Sequence, residues 1–406
     1  MKSMKKMAAV LAAAMSISVF SALPAAAAEK DYSEAEVKVS EAAATTYATD
    51  SIIKSSGYKT SYTSRYAYSK LTSTEKTLYK RIVAAVKNVE PIVELPSNIT
   101  NDQILRVYTL VFNSEPQLFW MDSSYTKGAK YLYVNYKATD LDEIEKMQKT
   151  INTQVKSLLA KAKKQSTTFG KLKVFYDYIV LNNDSIVDKS GYNTSIYGAF
   201  NKKEDLQCAG YAKTIQYLCD LSGITCMVIV GNNEAGGTHA WNIVKCGDGY
   251  YNFDSTWGDP VNNYGSDYIQ YEFFLVPDKW IKNISHFNAN VVVDSKGNKI
   301  KLFTPPSCTK TKYNYFIKNG LNYSSSSKAL SALKSQMKNA VKNKKNVVEI
   351  RVTTKELYNT MLNKTNQQAL NKYAKSLSSN VKSISVHTSN ITKGSYVVHY
   401  DINYNK

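Results

Sequence analysis

Histidine is scarce in this chain. There are four in 406 residues, and His239 is the only one among residues 1–285. Any chemistry in that long stretch that needs an imidazole has to use this one. His387 and His399 stand near the C-terminus with no cluster of metal-ligand residues beside them, so they read as structural. Long apolar runs are also lacking. Outside residues 7–23, nothing approaches the length needed to span a bilayer, so the mature chain is expected to have no membrane span. Acidic residues are too few to balance the basic ones, 33 against 52, for a formal charge of +19. Such a charge favours acidic surfaces, yet no nucleic-acid-binding signature accompanies it. Only five cysteines occur. Outside a cell, an odd count points to one free reactive thiol.

The N-terminus supplies the compartment. Lys2, Lys5 and Lys6 precede the alanine-rich apolar residues 7–23, and Ala26-Ala27-Ala28 ends in a small-residue cleavage pattern. Residues 1–28 therefore read as a secretory signal peptide. Its removal takes three lysines, leaving 49 basic and 33 acidic residues and a mature charge of about +16. The expected location is outside the cell, secreted or at the cell surface. Anionic cell-wall polymers are then a reasonable partner class, and a merely soluble lysine-rich surface is the competing reading.

The chemistry-bearing stretch is 207–260. Gln207-Cys208-Ala209-Gly210-Tyr211-Ala212 opens a helix on which Ala212, Ile215 and Cys219 share a face with Cys208. Gly223 is placed to stop it. A thiol attacks a carbonyl only as thiolate, and a helix N-terminus favours that charge. Residues 224–230 are β-branched and apolar, so they read as a buried strand. Residues 239–244 form a second strand that starts on His239, and 250–254 a third that ends on Asp254. Gly247-Asp248-Gly249 is a hairpin signal between the last two. Folding about that turn would set Asp254 close to His239, where a carboxylate could hold the tautomer of an imidazole base. Each residue also has a bland reading: a buried thiol, a core His-Trp pair and an Asp that caps a turn. Their joint order and spacing favour the catalytic one.

These motifs resemble the transglutaminase-like superfamily, and more narrowly its secreted bacterial members with Cys-x-Gly-Tyr-Ala and Asp-x-Thr-Trp-x-Asp-Pro. The matching residues are Cys208-Ala209-Gly210-Tyr211-Ala212, the His239-Ala240-Trp241-Asn242 strand, and Asp254-Ser255-Thr256-Trp257-Gly258-Asp259-Pro260. The resemblance covers about 171–277. It implies a Cys208 nucleophile, a His239 base and an Asp254 orienter. It also implies a papain-like α+β core, with no metal and no organic cofactor. Gln207 departs from the small residue or Val usual before the cysteine, which touches substrate preference more than the triad. Tyr197, Gln207 and Trp241 are further candidates for the oxyanion site or cleft, with the Cys208 backbone N–H as the first oxyanion donor. A packed tyrosine is the plainer reading of Tyr197. Cys226 and Cys246 fall roughly opposite one another if residues 234–237 form the loop, so they could form a disulfide.

The expected organisation is a leader at 29–70, an N-terminal α+β region at 71–165, the core at 166–303 and a small C-terminal α+β module at 310–406. Order is expected to begin near Leu71. Thr72-Ser73-Thr74-Glu75 and Thr100-Asn101-Asp102-Gln103 are capping boxes. Strands are expected at 118–121, 131–136 and 268–276, with helices at 141–164 and 169–180. The Pro305-Pro306 linker introduces the module, read as strand 313–318, helix 327–342, strand 347–352, helix 354–377 and strands near 381–387 and 395–402. Within it Val348, Ile350 and Val352 alternate with Glu349 and Arg351, which predicts one solvated face. Lys334, Lys338 and Lys342 form a basic stripe.

Two functions follow. One is a thiol enzyme acting on protein or peptide amides by acyl transfer, with an amine or water as acceptor. The other is a non-catalytic wall-associated binding or structural protein that keeps the fold.

Overall fold

Both capping boxes form as the sequence predicts. Thr72 accepts from the Glu75 backbone N–H while the Glu75 carboxylate accepts from Thr72, opening helix Ser73–Asn88. Thr100 and Gln103 do the same for helix Asn101–Ser114. Each cap satisfies two of the four N–H groups that a helix start leaves without a partner. The computed structural model describes residues 50–186, 191–201, 205–259, 268–386 and 395–405. The residues read above as a signal peptide and as the start of a leader lie outside them, as do Pro260 and His387. The class is α+β, and the chain divides into two compact units. The first takes the residues up to Lys245 together with His286–Pro306; the second takes Cys246–Ser285 and Ser307–Lys406.

In the first unit, strands Ile92–Glu94, Tyr131–Tyr136 and Met121–Lys127 pair antiparallel around the middle one. The strand expected at 118–121 starts at its last residue instead. Trp120 is fully buried and donates its indole N–H to the Val86 carbonyl at 2.9 Å. Helices Leu141–Lys163 and Thr168–Asn182 follow. Helix Cys208–Leu221 then packs against strand Cys226–Asn233, which pairs antiparallel with strand Thr238–Cys246 on one side and with His286–Phe287 on the other.

Regular structure begins before Leu71, the expected start of order. Residues from Asp50 onward are built in: helices Asp50–Lys54 and Tyr66–Ser69 bury Ile52, Ile53, Ala67 and Tyr68. Arg65 explains why. It is 6 % exposed, and its guanidinium donates to Asp220 Oδ1 at 2.7 Å across 155 residues of sequence. Its Nε lies 3.5 Å from Glu115. Tyr58 donates to Asp220 Oδ2 at 2.8 Å and stacks on Tyr217 with ring centroids 5.5 Å apart. Tyr79 donates to Glu115 at 2.6 Å, and Gln117 at 2.8 Å. Asp220 sits in the last turn of the Cys208 helix, so this network fastens residues 58–65 to that helix's C-terminal end.

In the second unit, the sheet runs Asn322–Tyr323, Val347–Val352, Val397–Tyr404, Val381–Val386. Helices Ser326–Lys342 and Lys364–Leu377 cover one face. Leu333, Met337, Leu370 and Ala374 close there over Val348, Ile350, Val398 and Tyr400. The single helix expected at 354–377 is two, Lys355–Met361 and Lys364–Leu377, because Asn363 caps the second by accepting from the Asn366 N–H. Residues 313–318 are not a strand. Asn314 caps a short helix, Tyr315–Lys318, instead. Residues 268–276 form no strand beyond one bridge, Asn252 to Val276; Leu275 takes a left-handed φ of 56° there.

The second face of this sheet, expected to be solvated, is covered. Arg351 lies 3.9 Å from the Trp280 ring centroid. Glu349 sits opposite His399 in the ladder, and Tyr268 donates to Glu349 while its oxygen lies 3.1 Å from His399 Nδ1. His399 Nε2 lies 3.2 Å from Asp401. Sequence alternation identified the two faces but not the cover, because residues 268–280 arrive from far along the chain.

Two outcomes test this packing. Arg65→Gln leaves Asp220 and Glu115 buried without their cation. It should cost about 3–5 kcal/mol, read as a lower urea midpoint at unchanged slope. For Glu349, burial pushes the carboxyl up from 4.5 to about 7, with His399 opposing. The folded state then holds the extra proton between those values, so stability falls as pH rises through that window. Between about pH 5 and about pH 8, the wild type should lose up to ~3 kcal/mol relative to Glu349→Gln in thermal melts. Glu272, also pushed up by burial, is common to both proteins.

Candidate active site

Helix Cys208–Leu221 is buried from Ala209 through Cys219, while Cys208 is half-buried at its open end. Gln207 is the N-cap, in extended backbone (φ −88°, ψ 166°), and its side chain does not cap the first turn. Its backbone N–H donates to the Asn193 carbonyl at 3.0 Å. The first-turn N–H groups and the positive end of the helix dipole therefore sit beside the Cys208 sulfur, where they favour a thiolate. Gly210 makes this seat geometrically accessible. A Cβ there would stand 2.3 Å from the Asn193 carbonyl oxygen and 2.9 Å from Leu206 Cδ2. Only glycine lets the first turn approach that backbone so closely.

The other thiols contrast with it. Burial pushes Cys219 up, pushes Cys246 up to about 12, and pushes Cys308 up as well. None of the five cysteines is in a disulfide, so the Cys226–Cys246 bridge is not formed. The strand register sets Cys226 opposite Val244, two residues short of Cys246. The Cys226 side chain lies beside Cys219 instead. Loop length was too loose a guide to register.

His239 stands in strand Thr238–Cys246, opposite Gly231. It is 3 % exposed, and its ring stacks on Trp241 with centroids 5.9 Å apart and planes 19° apart. Ala240 and Asn242 take the alternate face. Asn242 donates to the Ala212 carbonyl at 2.9 Å, tying this strand to the Cys208 helix. A Cβ at Gly231 would meet the Phe287 carbonyl at 2.4 Å and the Trp241 ring at 3.0 Å. Cys208 and His239 thus belong to one unit, on elements joined by a direct hydrogen bond.

Asp254 belongs to the second unit, immediately after strand Gly249–Phe253. It is 1 % exposed. Its Oδ1 accepts from the Thr256 N–H at 2.9 Å and the Trp257 N–H at 3.2 Å. Trp257 packs edge-on against Phe273, with centroids 5.0 Å apart. The Asp-Ser-Thr-Trp motif is therefore a turn that locks the carboxylate's rotation through one oxygen.

Tyr197 is half-buried in helix Ile196–Phe200. It stacks on Phe119 at 6.2 Å and meets Tyr192 edge-on at 5.1 Å, an aromatic cluster. Trp241 is 2 % exposed and packs in the interior beside two imidazoles. The second imidazole is His286, which sequence reasoning passed over. Its ring meets Trp241 edge-on at 4.7 Å and His239 at 5.4 Å. Its position beside these rings follows from the pairing of His286–Phe287 with Asn232 and Asn233, which no local pattern announces. Imidazoles are also common metal ligands, and His239 and His286 are the pair in this unit with that capacity. Lys213, on the Cys208 helix, was likewise missed. Its ammonium lies 3.1 Å from the Phe112 ring centroid, and burial pulls its pKa well down.

No family model and no curated protein matches the chain. Among the solved structures similar to parts of it are the following two. One is a Cytophaga hutchinsonii protein assigned as a cysteine protease, with 19 % identity, 26 % of this chain, 37 % of that one and a TM-score of 0.23. The other is described as a TGase, with 17 % identity, 43 % of this chain, 51 % of that one and a TM-score of 0.27. The chain thus spans about a third and about half of their lengths. Their names are of the kind the motifs suggest, but superpositions this partial add no weight to the site.

Gly210→Ala should separate the seat from the rest of the fold. Overpacking against the Asn193 carbonyl should cost about 1–3 kcal/mol in thermal melts. It should also slow iodoacetamide labelling of Cys208 while leaving the sealed thiols as unreactive as before.

Proposed function

We propose that this is a secreted thiol enzyme that acts on protein or peptide amides by acyl transfer, with Cys208 as nucleophile, His239 as base and Asp254 as its orienter. The observation that carries the reading is the seat of Cys208, the one half-buried thiol of the five, at the unsealed end of an otherwise buried helix. The buried, stacked ring of His239 and the rotationally locked carboxylate of Asp254 are consistent with a preorganised base and orienter.

In this reading the Cys208 sulfur attacks an amide carbonyl, and the oxyanion draws on the Cys208 backbone N–H. Collapse breaks the C–N bond, His239 delivers a proton to the leaving amine, and a thioester remains. An amine or water then attacks that thioester, gives its proton to His239 and returns the thiol. Transamidation and hydrolysis share every step before the acceptor arrives. No step calls on a metal.

The test is incubation with a glutamine-containing peptide and an amine probe, followed by mass spectrometry. An amine adduct indicates transfer, and a deamidated or shortened peptide indicates hydrolysis. Cys208→Ala should abolish either product, while a chelator should leave it unchanged. Cys208 should also label with iodoacetamide about tenfold or more faster than an ordinary exposed thiol near neutral pH. Ordinary labelling together with no product from the wild type would leave the non-catalytic wall-associated protein as the reading.

A further inference from the structure

The positive charge of this chain is not spread evenly. Residues 310–406 hold 17 of its 52 basic residues and three of its 33 acidic ones, so about +14 of the +19 sits in the last quarter. The fold sorts that charge further. Two of the three acids, Glu349 and Asp401, are engaged with His399 on the sheet face covered by Tyr268 and Trp280. Helices Ser326–Lys342 and Lys364–Leu377 lie on the opposite face, and neither contains an acidic residue. Lys334, Lys338 and Lys342 recur every fourth residue along the first helix, and all are exposed. Lys364, Lys372 and Lys375 are exposed on the second. The helices are neighbours, with the Lys334 ammonium 5.6 Å from the Tyr373 ring centroid. The outer side of these two helices is therefore strongly cationic; the third acid of the module, Glu356, is exposed on the short helix Lys355–Met361 that precedes the second of them.

We propose that this surface binds an extended anionic polymer of repeating phosphodiesters outside the cell, tethering the chain to a cell envelope. The proposal deepens the partner class suggested above but does not depend on the chemistry at Cys208. Charge complementarity selects the occupant, and two features argue against others. The exposed large apolar residues among those described are Tyr131, Leu141 and Leu181, all outside the module, so the surface has no anchor for a bilayer. The aromatic of these helices beside the lysines, Tyr373, is packed against the module core and offers no free platform for stacked bases. The secretory segment expected at 1–28 puts the surface where wall polymers are.

The experiment titrates full-length Cys208→Ala protein with purified poly(glycerol phosphate) across a range of salt concentrations. The same protein carrying Lys334→Gln, Lys338→Gln, Lys372→Gln and Lys375→Gln should bind at least tenfold more weakly. The slope of log affinity against log salt should shrink by about 3, near 0.7 for each of four lost charges. A control with Lys146→Gln, Lys149→Gln, Lys156→Gln and Lys161→Gln, on the exposed face of helix Leu141–Lys163, should stay near the parent. Equal losses in both quadruple variants, or none in the first, would overturn the proposal. So would tighter binding to anionic vesicles or to a single-stranded oligonucleotide at matched phosphate. Because binding is read without the thiol, an inactive enzyme would leave the result intact.

Discussion

A helix sealed along its whole length exposes its chemistry only at an end. Between Ala209 and Cys219 the Cys208 helix is enclosed by protein, so its sulfur is the one side chain free to meet a solvent-borne group near the dipole's positive pole. The remaining features of the first unit serve that arrangement. Gly210 lets the open end settle against the Asn193 carbonyl. Asn242 links it to the strand carrying His239. Arg65 and Tyr58 hold the closed end through Asp220. A nucleophile set on a rigid element by its neighbours is held more closely than one on a loop.

The clamp at Asp220 has an energetic logic of its own. Burying Arg65 with two carboxylates costs desolvation that the ion pairs roughly offset, so its net stabilisation is modest while its removal is severe. Such a network contributes uniqueness more than strength. It rejects any register of residues 50–70 that leaves the guanidinium without its partners.

Local rules were read correctly where the physics is local. The capping boxes at Thr72 and Thr100 close within four residues, and Gly223 takes its left-handed turn at φ +67° right after the Cys208 helix. The strand Cys226–Asn233 follows from the continuous β-branched, apolar run at 224–230. Reading stopped where a partner lay far off. Residues 50–70 look like a polar leader until Asp220 is supplied from 155 residues away. Glu349 and Arg351 look solvated until Tyr268 and Trp280 cover them. Cys226 and Cys246 look pairable until register places Val244 across from Cys226. His286 carries no local signal at all. Of the candidate site, the seat of Cys208, the strand of His239 and the packed state of Tyr197 and Trp241 were legible, whereas their ring partners Phe119, Tyr192 and His286 were not.

The path of the backbone bears on how this molecule can be divided. Residues 246–285 leave the first unit and fold with the C-terminal module before the chain returns at His286. The prolines at 305 and 306 look like a natural seam, but they are not the place to separate two self-sufficient pieces. A gene split there would strand Tyr268 and Trp280 on one fragment, with the sheet they shield on the other. Both halves would then meet water with surfaces built for the interior. Excision would have to follow the spatial partition rather than the linear one, joining two stretches of sequence that nature keeps apart.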